Sequence, residues 1–300
     1  MNPSIEEGKT TVFVTGGNRG IGWEIVKLLA ARPNYHVFLG SRSRDKGEAT
    51  VLEWQQQQQQ QQQNGCGKNV TVIEIDLNSS QIIAGAVDSL TKQLKGKKLD
   101  ILIHNAAFIS YAFTIPDVQQ SIQTNYHGTV AVNEAFSPLL SPSGRIIFVS
   151  SAVGKTYLVS PPVASKLLSP ELTTEELKQC MDSIQKSVED GSFIKPANSM
   201  GAEAYGLGKL GGTTIYPRIV SRRYKSDGSA VFVASCCPAF GGADTPVWLA
   251  IAPKDVVMKY PGGSFWEQRQ VTNPCEWDAG MKTTYATTGR FPPGHEMKII

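Results

Sequence analysis

The chain has 300 residues, of which 41% are hydrophobic and 18% charged, and its formal net charge is +3. That composition suits a folded globular protein, and the charge is too small to argue for nucleic acid or an anionic membrane as partner. Apolar runs stay below the roughly 18 residues that a membrane span requires, so neither partner is expected.

In chain order, residues 11–15 read as an apolar, β-branched strand, and Gly16-x-x-x-Gly20-x-Gly22 follows at once and opens a helix over 20–31. A side chain at these glycines would block both a diphosphate and the strand–helix contact, while the helix N-terminus offers free N–H groups and a positive dipole end. The segment Thr15-Gly16-Gly17-Asn18-Arg19-Gly20-Ile21-Gly22 therefore implies a dinucleotide loop. A second strand, 36–40, ends at Gly40-Ser41-Arg42 with no acidic residue to hold a ribose 2′-hydroxyl. Arg19, Arg42 and Lys46 can instead converge on a 2′-phosphate, which points to NADP(H) rather than NAD(H).

The nine glutamines 55–63 fall where the second helix should end, either extending it or forming a polar surface insertion. Strand 70–75 leads to Asp76-Leu77, where Asp76 suits an acceptor for the adenine amino group. Helix 79–94 and strand 99–104 follow, and Asn105-Ala106-Ala107 suits a floor beneath the adenine ribose. A helix over 118–140 carries Asn125, and strand 145–150 ends at Ser150-Ser151. The long connection 154–200 contains a helix to Glu189, with a cap at Thr173, Glu176 at capping-box spacing, and Leu177, Met181, Ile184 and Val188 as its apolar stripe. A last helix, 203–223, carries Tyr205 and Lys209 one turn apart, before strand 230–235. The alternation of short apolar strands with helices implies an α/β fold, a doubly wound parallel sheet with a helical insertion before the Tyr205 helix.

The five cysteines (Cys66, Cys180, Cys236, Cys237, Cys275) show no zinc-ligand or CxxC spacing, and the four histidines are scattered, so no metal is expected. A polar N-terminus without a secretory pattern fits a reducing, cytoplasmic location. The domain expectation is one dinucleotide-binding and catalytic domain, 1–277, with insertions at 55–63 and 154–200 and a loosely ordered tail, 278–300.

With TGGNRGIG, Asp76-Leu77, HNAA in place of NNAG, Asn125, Ser150-Ser151 and YGLGK in this order, the chain resembles the short-chain dehydrogenase/reductase superfamily. Within it the likeness is closest to monomeric, NADPH-dependent carbonyl reductases, which share the long insertion and the runs LTTEELKQCM, ASCCP and ADTPVWLA. The resemblance implies reduction of aldehydes, ketones or quinones by hydride from NADPH. Tyr205 would be the general acid, and Lys209 a cation that favours its phenolate and binds the nicotinamide ribose. Ser151 would bind the substrate oxygen, and Asn125 would hold a water linking Lys209 to solvent. It also implies a monomer, because related dimers and tetramers pair through the Asn125 and Tyr205 helices, which the insertion should cover.

The chain departs from the family after its sixth strand. The strand leads into Cys236-Cys237-Pro238-Ala239-Phe240-Gly241-Gly242-Ala243-Asp244-Thr245, and the loop that contacts the nicotinamide in such reductases is shortened. Thr245 is a candidate substitute. The alternative reading is an NADP(H)-binding protein with little or no catalysis. Cys237 is read as a buried small hydrophobe, with a reactive thiol as the other possibility.

Overall fold

A computed structural model describes residues 8–60, 67–196, 201–238, 242–267 and 269–272. The last three glutamines of the run, Cys66, Cys275 and the expected tail lie outside these residues. The described chain forms one eight-stranded sheet from β1 (Thr10–Val14), β2 (Tyr35–Ser41), β3 (Val70–Glu74), β4 (Leu99–His104), β5 (Leu140–Val149), β6 (Phe232–Cys237), β7 (Ser264–Glu267) and β8 (Gln270–Thr272). Their order is β3-β2-β1-β4-β5-β6-β7-β8. All pairings are parallel except β7 with β8. The expected doubly wound sheet is thus observed. The order reverses between β1 and β4, which places a crevice at their C-terminal ends, where such folds bind ligands.

Alternate strand residues face opposite layers. Phe13, Leu102, Ile146 and Phe148 join the core under α3 (Ser80–Leu94) and α4 (Ile115–Phe136), whereas Val14, Ile103, Ile147 and Val149 join the core under α1 (Gly20–Ala30) and α2 (Arg44–Gln60). Local signals set many boundaries. Ser79 caps α3 through its side chain, 3.3 Å from the Ile82 N–H, and Lys95 ends it in the left-handed region. The first six glutamines continue α2, whose Trp54 meets Trp23 edge-on at 5.4 Å.

The structure corrects several boundaries. Helix α4 begins at Ile115, capped by Thr114 with Pro116 in its first turn, where the missing N–H costs nothing. It runs as α-helix Ile115–Ser121, π-helix Ile122–Gly128 and α-helix Thr129–Phe136, so β5 starts at Leu140. Strand β6 lies two residues later than expected, because 228–230 complete the turn out of the preceding helix, and Cys236 and Cys237 are therefore inside the strand. Strands β7 and β8 were not expected; at four and three residues they are too short for a periodic signal.

The 154–200 connection carries α5 (Pro161–Leu168) and α6 (Thr174–Glu189), the latter opened by the Thr173/Glu176 capping box. Leu177, Met181 and Ile184 of α6 are buried. The final long helix, α7, runs as Glu203–Lys209, a π segment Leu210–Ile215, and Tyr216–Ser226. Arg218 and Arg222 of α7 donate to the Leu168 and Leu172 carbonyls, and Gln119 of α4 donates to Glu189 at 2.8 Å. The insertion therefore packs across α4 and α7 together.

Burial of histidine in this sheet carries a pH consequence. His36 is buried beside Thr71 Oγ1 (2.9 Å), and desolvation lowers its pKa from 6.5 to about 4. A base with a depressed native pKa holds fewer protons when folded, so stability is full above pH 6.5 and is lost as pH falls toward 4. Urea midpoints should drop across that window by an amount equivalent to a few kcal/mol. His36→Gln, which keeps a partner for Thr71, should make the drop shallower and leave the share of buried His104, whose pKa is also lowered; an unchanged slope would remove His36 as a source.

Candidate active site

The crevice between β1 and β4 is built by Thr15. Its hydroxyl accepts from the Asn105 and Ala106 N–H groups at 2.9 and 3.0 Å. The Asn105 amide donates in turn to the Thr15 and Gly16 carbonyls at 3.0 and 3.1 Å. Asn105, expected to serve the adenine ribose, thus braces the glycine loop. A Cβ on Gly22 would lie 2.2 Å from the Gly16 carbonyl oxygen, so the helix can enter this close to the loop only with glycine there. At the start of α1, Arg19 makes no side-chain capping bond and the first turn has no acid. Gly20 and Ile21 are exposed. The free N–H groups and the dipole end form a cradle for a diphosphate.

The three predicted cations lie on the elements beside that cradle. Arg19 is the N-terminal flanking residue of α1, Arg42 follows β2, and Lys46 lies in the first turn of α2. All three are exposed. The Thr50 hydroxyl donates to the Asn18 carbonyl at 3.2 Å and ties α2 to the glycine loop. Among the described residues no carboxylate pairs with any of the three, whereas the neighbouring Arg44 pairs with Glu48 at 3.7 Å. Beyond β3, partly exposed Asp76 accepts from the Asn78 N–H at 3.0 Å, and Leu77 is buried against Gly128 of α4.

On the other side of β4 lies the second cluster. Ser150 is buried, its hydroxyl 3.0 and 2.9 Å from those of Thr213 and Thr214. Ser151 is partly exposed and hydrogen-bonds the Tyr205 hydroxyl. Lys209 is buried one turn beyond Tyr205; its Nζ donates to the Val149 carbonyl at 2.6 Å and lies 5.7 Å from the Tyr205 ring centre. Desolvation raises the Tyr205 pKa above 10, and the Ser151 bond offsets only part of that. Burial lowers Lys209 to about 8, so it keeps its charge at neutral pH. The hydroxyl is therefore held in its protonated form. Asn125, expected to hold a water for Lys209, uses its amide on Phe108, accepting from its N–H at 2.8 Å and donating to its carbonyl at 2.9 Å, and donates also to Ser121 Oγ at 3.1 Å. It fixes the loop after β4.

Other residues also pack around this cluster. His104, in place of the family's Asn, is buried and stacked on Phe148 at 4.5 Å, with its ring nitrogen 3.3 Å from Asn133 and its pKa lowered to about 3 by burial. Cys237 is buried and its sulfur accepts the Ala152 N–H at 3.1 Å. Lys155 and Glu267, 112 positions apart (267 − 155), form a buried ion pair at 3.3 Å. A lysine inside the apolar stretch Ala152–Val159 was the one available signal. Downstream of β6, Thr245 is buried in the first turn of α8 (Asp244–Ile251), and residues 239–241 lie outside the described ones. Among the described residues no helix is long and apolar enough to cross a membrane.

The sequence profile described as "short chain dehydrogenase" matches residues 10–180. The chain is 30% identical over 293 residues to carbonyl reductase (NADPH) 1 of Homo sapiens, covering 89% of this chain and 99% of that one. The Bos taurus protein of that name is 30% identical over 290 residues, again across 89% and 99%. Among solved structures, menthone neomenthol reductase from Mentha piperita is 26% identical with a TM-score of 0.73, across 87% of this chain and 99% of that one. An NADPH-bound carbonyl reductase from chicken fatty liver shares the fold with a TM-score of 0.60 at 18% identity, across 88% and 98%.

Proposed function

The chain belongs to the short-chain dehydrogenase family, and we propose that it reduces carbonyl compounds to alcohols, with NADPH as reductant. The observation that carries this reading is the Ser151–Tyr205–Lys209 cluster, placed one strand away from a diphosphate cradle whose neighbouring elements carry the three cations.

NADPH supplies the hydride to the carbonyl carbon when bound. The glycine loop and the α1 N-terminus hold its diphosphate, Arg19, Arg42 and Lys46 its 2′-phosphate, and Asp76 its adenine amino group. Ser151 donates a hydrogen bond to the substrate oxygen and stabilises the charge that develops there. Tyr205, kept protonated by burial, passes its proton to that oxygen, which completes the alcohol. Lys209, still charged below about pH 8, then favours the phenolate left behind. The insertion covering α4 and α7 supports a monomer. The binding-only alternative has the shortened loop in its favour and no other observation.

An apolar mouth supports apolar substrates: aromatic and alicyclic aldehydes, ketones and quinones. Ile109 and Tyr111 in the loop after β4 are 57% and 78% exposed, and Ile194 at the end of the insertion is 89% exposed. Phe113 and Phe193, with ring centres 5.6 Å apart, join the two segments. Tyr111 is near enough to Tyr205 to raise its pKa. Purified protein should oxidise NADPH when given menadione; no turnover with quinones, aldehydes or diketones despite NADPH binding would leave the binding-only reading. Tyr111→Ser with Ile194→Ser should raise the menadione KM roughly tenfold, the two side chains together contributing about 1.4 kcal/mol. The KM of a small hydrophilic aldehyde should not change. Equal effects on both substrates would separate this mouth from the substrate path.

A further inference from the structure

Ser151 stands in a tight turn between β5 and Lys155, and both ends of that turn are anchored. At the near end the Ser150 N–H donates to the Cys236 carbonyl at 2.7 Å, and its hydroxyl is held by Thr213 and Thr214. In the middle the Gly154 N–H closes on the Ser151 carbonyl at 3.0 Å, while the Gly154 carbonyl accepts from Thr214 Oγ1 at 2.7 Å. A Cβ on Gly154 would lie 2.7 Å from Lys209 Cβ, so the turn rests directly on the helix that carries Tyr205. At the far end Lys155 Nζ lies 3.3 Å from Glu267 Oε1, with both side chains more than nine-tenths buried, and 5.5 Å from the Phe265 ring centre. Glu267 ends β7 in register with Cys237, the residue whose sulfur receives the Ala152 N–H.

A buried ion pair is a weak source of stability. Desolvating two charges offsets most of their attraction, and apolar side chains of similar volume often do as well. A charge pair does impose one geometry, because neither partner can move without leaving the other uncompensated. We propose that Lys155 and Glu267 are positioning residues for carbonyl reduction: their pair fixes the Ser151 turn between β7 and α7, so that the Ser151 hydroxyl meets the substrate oxygen together with that of Tyr205. The inference rests on the reading of Ser151 and Tyr205 given above. Misplacement of a reacting group by about 1 Å can cost on the order of 100-fold in rate.

The test is the apolar pair Lys155→Met/Glu267→Leu, which leaves no lone buried charge. We expect a melting temperature within a few degrees of wild type, kcat with menadione reduced about 10- to 100-fold, and KM for NADPH within about twofold. In a Ser151→Ala background the same pair should lower kcat by no more than about threefold, because the effect runs through Ser151. Wild-type kcat in the folded double variant, or a full loss repeated in the Ser151→Ala background, would overturn the proposal. Tyr205→Phe measured alongside separates the two failures. If that variant matches wild type, the reading of the site is at fault; if it collapses while the apolar pair turns over normally, the positioning role alone is refuted. Should the apolar pair not fold, Glu267→Asp, which keeps the charge and shortens its reach, takes its place under the same outcomes.

Discussion

Tyr205→Phe should lower carbonyl turnover by about 10²- to 10⁴-fold, the usual contribution of a general acid. NADPH binding should stay within about twofold, since the phenol hydroxyl is removed and the ring that fills the site remains. The two serines should separate in the same experiment. Ser151→Ala should reduce kcat, because Ser151 is the partly exposed hydroxyl bonded to Tyr205. Ser150→Ala removes contacts to Thr213 and Thr214 and should lower stability by about 1 kcal/mol, with little effect on kcat. The pH profile should follow Lys209, whose pKa burial lowers to about 8. As pH rises through that value the lysine loses its proton, the product phenolate loses its nearby cation, and kcat should fall. Tyr205→Phe turnover equal to wild type would refute the assignment of the acid.

Arg42→Asp should reverse or erase the preference for NADPH over NADH. A charge-assisted contact to phosphate is worth about 1.5–3 kcal/mol, or roughly 10- to 150-fold in Kd. The aspartate adds repulsion against the 2′-phosphate and offers an acceptor to a ribose 2′-hydroxyl. Fluorescence titration should therefore show weaker NADPH binding, with NADH unchanged or tighter. Because Arg19, Arg42 and Lys46 are exposed, the wild-type preference should shrink as salt is raised. Equal wild-type affinities for the two cofactors, or an Arg42→Asp variant that still prefers NADPH, would remove these cations from cofactor selection.

Much of the architecture was written locally. Strands β1, β2 and β4 were legible because they are buried on both faces and read as near-continuous apolar runs. Helix α6 was legible because a capping box and an apolar stripe sit in consecutive turns. Tyr205 and Lys209 shared a helix face through spacing alone. The π segments were not legible, because they belong to the contact between two helices. A Cβ on Gly212 would lie 1.9 Å from the Asn125 carbonyl oxygen, and one on Gly208 would lie 2.4 Å from that of Ser121.

What the sequence determined by itself was the order of elements through β6, the family, and the set of side chains from which the site is made, since periodicity, turn residues and short motifs act over a few neighbours. Tertiary structure alone decided how those side chains are used. Asn125 faces Phe108 and Ser121, Asn105 braces the glycine loop, and Lys155 meets Glu267. It also decided the proton affinity of Tyr205, where desolvation outweighs the hydrogen bond from Ser151. Partner choice between residues distant in sequence, and the balance of burial against charge, depend on which surfaces exclude water together, and that is fixed only once the sheet and both helix layers have closed.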